Sequence, residues 1–223
     1  LLMINNFLNK RLISGLAAGL FGLIIISLGG WWFAVALGVI VHLALLEFFR
    51  MAEFTGIRPA TKTTLVACQL LLLTTQLDVN GFVSDSLTAA VLALSGAAIC
   101  GWLLLQPITG SISDIATSIF GLFYLGFLPS HWLKLRNISQ LELVNVPNSL
   151  DPRYGMKLTL CVCLIIVAFD IGSYFFGKKF GKNPLSPISP SKTIEGALFG
   201  VFSSIVFGCL FIKLLGLQIN FFV

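Results

Sequence analysis

The residues best suited to chemistry stand between Asp170 and Gly196, in the stretch DIGSYFFGKKFGKNPLSPISPSKTIEG. Asp170 closes an uncharged run from Leu158 to Phe169. A carboxylate at the edge of such a run is costly unless it faces a cavity, a cation or a partner. Ser173, Tyr174 and Gly177 follow at i+3, i+4 and i+7, so with Asp170 they share one face of a helix. That face is polar with a bare glycine, while Phe175 and Phe176 point elsewhere. Gly177 and Gly181 are expected to turn the backbone, and Lys178, Lys179 and Lys182 put positive charge at that membrane edge. Snorkelling lysines with an Asp–Lys pair explain any one of these residues as well, but the whole cluster less well.

Pro184, Pro187 and Pro190 forbid a regular helix between this apolar run and the next. Ser189-Pro190 predicts a helix start, with serine as N-cap and proline at the first helical position. Ser191, Lys192 and Thr193 would then occupy the first turn, where unpaired N–H groups and the helix dipole favour an anion. A lysine and two hydroxyls there form a phosphate cradle. Glu195, three residues after Lys192, either pairs with that lysine or holds a metal ion. An ordinary capped transmembrane helix would show the same cap, so the cap alone decides nothing.

Two blocks carry a more specific signal. Asp170-x-x-x-Tyr174-x-x-Gly177-Lys178-x-x-Gly181, followed by Ser189-Pro190-x-Lys192-Thr193-x-Glu195-Gly196, resembles the phosphatidate cytidylyltransferases, the CDP-diacylglycerol synthases of bacteria and plastids. The family pattern usually has alanine where this chain has Ser173, and often an aromatic where it has Ile194. Lys10-Arg11-x-x-Ser14 and Glu47 are similar to family features as well. The resemblance implies transfer of a cytidylyl group from CTP to phosphatidic acid, giving CDP-diacylglycerol and pyrophosphate, with magnesium or another divalent cation as cofactor. It implies phosphate contact by Lys192 and the Ser189, Ser191 and Thr193 segment, and substrate contact by Ser173, Tyr174 and Lys178. Asp170 would face the metal or orient the polar pocket, Tyr174 would donate a hydrogen bond, and Glu195 would position Lys192. A homodimer is an expected assembly. The family's longest signature, Ser-x-x-Lys-Arg … Lys-Asp … His-Gly-Gly … Asp-Arg-x-Asp, does not occur in residues 1–223, so the main metal carboxylates are expected beyond Val223.

The elements that must position these residues are membrane helices. Of 223 residues, 57% are hydrophobic and 10% charged, against about 25% charged in a typical soluble domain. A mean hydropathy of +0.98 places the chain among all-α, polytopic helical membrane proteins. About seven transmembrane helices are expected, near 12–28, 31–49, 63–77, 87–105, 115–128, 158–176 and 193–215. They form one integral-membrane domain, with N-terminal helices over 10–130, a polar connection over 131–157 and the start of the catalytic region over 158–223. The third span is short, which suggests tilt or burial. Gly96, Gly101, Gly121 and Gly126 are expected to let helices approach closely.

Net charge is +5, with lysines and arginines clustered at span ends, a pattern that suits membrane orientation and anionic ligands and not nucleic acid. The positive-inside rule puts Lys10-Arg11, the Arg50–Lys62 joint and the lysine loop on the cytoplasmic side of a bacterial plasma membrane or a plastid membrane. Simple alternation then puts residues 131–157, with Lys134, Arg136, Arg153 and Lys157, outside, against the same rule, so either one earlier segment does not cross fully or an interfacial stretch lies here. The five cysteines, Cys68, Cys100, Cys161, Cys163 and Cys209, suggest neither a disulfide framework nor a zinc site. His42 and His131 read as packing or interfacial residues. Asp114 reads as a helix-start cap.

Other classes remain open at this point. A transporter would explain an intramembrane aspartate and broken helices, yet no inverted repeat is visible. A CTP-dependent polyprenol or phytol kinase shares the membrane and the nucleotide. A catalytically inactive, truncated membrane protein is the third.

Overall fold

The computed structural model describes residue 15 and residues 17–138, 153–187 and 189–217. It divides into two compact units, Leu1–Asn137 and Ile138–Val223.

The first unit is a bundle. Helix α1 spans Ala17–Leu28, α2 Gly30–Phe54, α3 Thr61–Val79 and α4 Asp85–Leu104. Helix α5, Ile112–Phe120, runs through a π-helical stretch, Gly121–Phe127, into α6, Leu128–Asn137. The expected fifth span therefore extends to Asn137, and the first residues of the expected polar connection are helical. Residues 139–152 of that connection lie outside the described residues. The π winding has a local cause. Pro129 has no N–H for the carbonyl four residues back and its ring crowds it, and the wider turn ahead of it absorbs the mismatch. Two glycines five apart stand about 140° apart on an α-helix of 3.6 residues per turn, but i→i+5 winding swings them toward one side. Gly121 accordingly packs on Phe49 and Leu45 of α2, and Gly126 on Cys68 of α3. Of the other two glycines expected at close approaches, Gly96 lies at ordinary contact distance from Ile119 and Gly101 faces open space.

Helix α3 is the buried centre. Thr64, Ala67, Cys68, Leu71, Leu72, Thr74, Thr75 and Gln76 are all buried, and α2, α4, α5, the π stretch and α6 all pack against it. Its hydroxyls are partly satisfied inside the helix: Thr75 Oγ1 donates to Leu71 O at 2.8 Å, and Thr74 Oγ1 to Leu70 O at 3.0 Å. The short third span is thus a core helix, as burial and not tilt would have it. Five helices are long and apolar enough to cross a membrane, namely α2, α4, α5–α6, α7 and α8 (the last two defined below). With α1 and α3 they make seven helical segments among the described residues, an all-α polytopic membrane architecture.

The ends of the bundle are tied by polar bonds. At one end Lys134 Nζ pairs with Asp78 Oδ2 at 3.5 Å. Beside them Arg136 Nε donates to Ile26 O at 2.7 Å and its Nη2 to Ser27 O at 3.4 Å, covering last-turn carbonyls of α1. At the other end Ser111 and Asp114 form a reciprocal capping box at the start of α5. Asp114 Oδ1 also accepts from Arg58 N at 2.7 Å. Asp114 is therefore a cap, as its position in the sequence suggests.

The second unit is a helical hairpin: α7, Tyr154–Phe180, then strands β1, Pro184–Ser186, and β2, Ser189–Thr193, then α8, Ile194–Leu214. The helices run antiparallel in close contact. Small residues face each other along the seam: Gly172 against Ser203, Ser173 against Gly200, and Gly177 against Gly196. Ser203 Oγ donates across it to Ala168 O at 2.8 Å. Gly177 lies inside α7 and does not turn the chain; its role is close approach, since a Cβ there would sit 3.4 Å from Gly196 Cα. Far from the strands, Tyr154, Cys161 and Leu217 form a buried cluster. Phe202 and Ile205 of α8 are exposed, as residues facing lipid are.

These contacts predict an asymmetry between two glycines. Gly126→Ala drives a Cβ into Cys68 Sγ and is expected to cost about 1–3 kcal/mol. Gly101→Ala meets nothing within 4 Å and should gain up to about 1 kcal/mol from helix propensity. Thermal unfolding of both variants in one detergent checks this, and equal stabilities would refute the packing described.

Candidate active site

A cavity of about 650 Å³ opens where the strands meet the helices of the second unit. From α7 it is lined by Phe169, Asp170, Ser173, Tyr174, Gly177 and Lys178; from the strands by Leu185, Ser191, Lys192 and Thr193; and from α8 by Gly196 and Ala197. The helical face read from Asp170, Ser173, Tyr174 and Gly177 is therefore one wall of a real concavity. The Lys178 ammonium lies 5.9 Å from the centre of the Tyr174 ring, a cation–π distance that steadies both side chains at the mouth. The Tyr174 ring meets Phe175 edge-on at 5.7 Å. Ser173 Oγ lies over Gly200 and has no hydrogen-bond partner among the described residues.

The strands correct the expected helix start. Ser189, Pro190, Ser191 and Lys192 are extended, with Ser189 paired to Ser186 and Thr193 to Pro184 in an antiparallel ribbon. The helix begins four residues later. Thr193 is its N-cap, its Oγ1 accepting from Gly196 N at 3.2 Å. Serine and threonine are both capping residues; pairing with Pro184–Ser186 and the bond from Ile194 N to Asn183 O at 3.0 Å decide between them. Pro190, lacking an N–H, is tolerated because a two-stranded ribbon is all edge. Lys192 thus reaches the cavity from a strand and not from a first helical turn.

Of the nine residues singled out by sequence, Asp170, Ser173, Tyr174, Lys178, Ser191, Lys192 and Thr193 line this cavity, and Ser189 and Glu195 do not. The Glu195 carboxylate instead accepts from Lys182 N at 3.2 Å, from Asn183 N at 3.3 Å and from Asn183 Nδ2 at 2.9 Å. No ion pair joins Glu195 to Lys192 among the described residues. The sequence alone does not single out Phe169, Asn183, Leu185 or Ala197. Of these only Asn183 carries a signal, as a turn-type residue directly before Pro184.

Asp170 is the one carboxylate lining the cavity, and no group of three or more His, Cys, Asp or Glu suited to a metal occurs among the described residues. One carboxylate with neighbouring hydroxyls still fits magnesium, which commonly takes one or two protein carboxylates and completes its octahedron with phosphate oxygens and water. The five cysteines are free. His131 Nδ1 lies 3.1 Å from Phe127 O and its ring meets Phe127 edge-on, a packing role as expected. His42 lines a groove of about 400 Å³ between α2 and α3 with Gln69 and Gln76. A further cavity, of about 630 Å³, lies in the first unit beside Arg58, Gln106 and Asp114.

Fold and site together define an integral membrane protein whose cavity, with one aspartate and two lysines, is built at the end of a transmembrane helical hairpin. The sequence model of the cytidylyltransferase family matches residues 9–223, and the chain belongs to that family. It is 39% identical over 214 residues to a phosphatidate cytidylyltransferase of Synechocystis, covering 90% of this chain and 71% of that protein. It is 33% identical to the chloroplastic phosphatidate cytidylyltransferase 5 of Arabidopsis thaliana, covering 92% of this chain and 53% of that protein. A Bacillus subtilis phosphatidate cytidylyltransferase is 24% identical, with 92% of this chain and 71% of its own length covered. The chain thus spans about half to seven-tenths of the length of these relatives.

The observed cap predicts that Thr193→Ala destabilises the second unit by about 1 kcal/mol, whereas Ser189→Ala stays within about 0.5 kcal/mol. Denaturant unfolding measures both. A larger loss at Ser189 would return the helix start to Ser189-Pro190.

Proposed function

We propose that this chain is a phosphatidate cytidylyltransferase, joining CTP to phosphatidic acid to give CDP-diacylglycerol and pyrophosphate. The observation that carries the reading is the cavity of the second unit, which gathers Asp170, Tyr174, Lys178, Ser191, Lys192 and Thr193 in one place. A phosphate oxygen of the lipid forms the new bond to the α-phosphorus of CTP, and the bond from that phosphorus to the bridging oxygen breaks as pyrophosphate leaves. Both reactants are anions, so their approach requires cations fixed in advance. Lys178 of α7 and Lys192 of β2 supply two. Ser191, Thr193 and Tyr174 carry hydroxyls that orient phosphate oxygens. Asp170 would hold a magnesium ion, which neutralises phosphate charge and acts as a Lewis acid when bound.

The location of the cavity in the membrane suits a substrate that is itself a lipid. Asp170 lies about 12 Å along the helix axis from Lys178, at 1.5 Å per residue, so the cavity wall runs from the apolar part of α7 to its lysine-bearing end. Lys178, Lys179 and Lys182 at that edge favour the cytoplasmic face of a bacterial membrane, or the corresponding face of a plastid membrane, by the positive-inside rule. The same reading has two copies associate as a homodimer.

Membranes from cells expressing the chain, given labelled CTP and phosphatidic acid, are expected to form labelled CDP-diacylglycerol, and a chelator should abolish it. Lys192→Ala should lower turnover at least about a hundredfold, as loss of one transition-state contact does, while insertion into the membrane is unchanged. Full activity in that variant would remove Lys192 from the site. Absence of product with the unaltered protein would overturn the reading itself.

A further inference from the structure

Glu195 is the carboxylate that the cavity does not use. It stands in the first turn of α8, where negative charge is favoured, and its oxygens face donors from a different part of the chain. Lys182 N donates to Oε2 at 3.2 Å, Asn183 N lies 3.3 Å from each oxygen, and Asn183 Nδ2 donates to Oε1 at 2.9 Å. The Asn183 carbonyl returns a bond by accepting from Ile194 N at 3.0 Å. Immediately afterwards Pro184 pairs with Thr193, and Leu185 lines the cavity.

The segment held in this way has little else to hold it. Gly181 caps α7 in an extended conformation, and Lys182 and Asn183 lie outside both helix and strand. We propose that Glu195 and Asn183 form a positioning clamp that fixes the backbone of Lys182 and Asn183 against the start of α8, and so sets how the ribbon that follows, with Leu185 and Lys192, is presented to a phosphate-bearing ligand in the cavity. Glu195 is then a positioning residue and not a catalytic one. The kinetic part of this inference rests on the reading of the cavity as a nucleotide and lipid-phosphate site; the structural part does not.

The chemistry of the donor set makes the assignment specific. A carboxylate only accepts, so it satisfies a backbone pair and a side-chain amide together. Glutamine at 195 would turn an N–H₂ group toward one of those donors. The mismatch is removed by reversing the pair: with Glu195→Gln and Asn183→Asp in one chain, the new amide donates to the new carboxylate and its oxygen still accepts from the backbone.

Amide hydrogen exchange on the full chain in lipid nanodiscs tests the clamp. Glu195→Gln and Asn183→Asp are each expected to speed exchange at Lys182 and Asn183 at least tenfold, and the double variant to return within threefold of the unaltered protein. Steady-state turnover should follow with KM for CTP raised at least fivefold in each single variant, kcat within twofold, and KM restored in the double. Unchanged exchange in the single variants would overturn the proposal. So would a collapse of kcat that the reversed pair fails to rescue, since that would make Glu195 a participant in the chemistry. If Glu195→Gln does not insert, Asn183→Ala deletes one donor and leaves the carboxylate; exchange at Lys182 faster by threefold or more supports the clamp, and exchange at the original rate overturns it. Lack of CTP turnover by the unaltered protein would defeat the functional reading alone, and the exchange cycle would still decide the clamp.

Discussion

The distance between α7 and α8 is the constraint on which the candidate site depends. Inside a bilayer two apolar helices gain nothing by leaving lipid for each other, so their association rests on close packing and a few polar bonds. Gly172 facing Ser203, Ser173 facing Gly200 and Gly177 facing Gly196 provide the packing, and Ser203 Oγ on Ala168 O the cross-helix bond. The Phe176 and Phe199 rings stack at 4.2 Å near the loop end. Because the axes are so near, the connection between them needs only a loop and a ribbon of two short strands. That ribbon folds Ser191 and Lys192 back over the polar face of α7. With bulkier residues along the seam, the same sequence of polar groups would not enclose a common cavity.

In the first unit polar groups are consumed by structure. Lys134 and Arg136 lie at the helix end where positive charge conflicts with the simple orientation rule. Each is engaged locally, Lys134 by pairing with Asp78 and Arg136 by capping the carbonyls of α1. The ends of α1, α3 and α6 therefore meet at one end of the bundle, as alternation requires, and charges engaged in this way bear less on orientation than free ones. The same holds for Asp114, whose oxygens are taken by the N–H groups of Arg58 and Ser111. Asp170 contrasts with it, being exposed within the chain and lining a cavity.

Much of this is legible in the sequence because it follows from period and polarity. The apolar runs place α2, α4 and α8 to within a few residues, and the i, i+3, i+4, i+7 spacing from Asp170 matches the cavity wall. Local competition between equally good signals is what the sequence cannot resolve. Ser189 and Thr193 are both capping residues, and only pairing with Pro184–Ser186, a contact between segments, selects Thr193. Gly177 and Gly181 look alike in sequence, yet one packs against Gly196 inside a helix while the other ends it. Helical spacing pairs Glu195 with Lys192, three residues before it, but Lys192 is not on the helix, so the spacing has no meaning there. Continuation of α5 through Pro129 is hidden for a similar reason, since a π stretch obeys neither the helical period nor the usual penalty for proline.

The placement of Asp170 bears most directly on what the cavity can accept. An ionised carboxylate facing hydrocarbon is costly, and the remedies within a protein are a cation, a hydrogen-bond network or water. Among the described residues no hydrogen bond or ion pair reaches this carboxylate, and the cations of the cavity, Lys178 and Lys192, come from its loop and strand side. The wall thus carries a carboxyl group about two helical turns along α7 from Lys178. A simple anion would be drawn to the lysines and repelled by Asp170. On the proposed function, a phosphate accompanied by a divalent cation would answer both, Asp170 holding the cation and the lysines the phosphate charge. That separation of charge arises from the order of residues along one face of α7 together with the ribbon that brings Lys192 beside it.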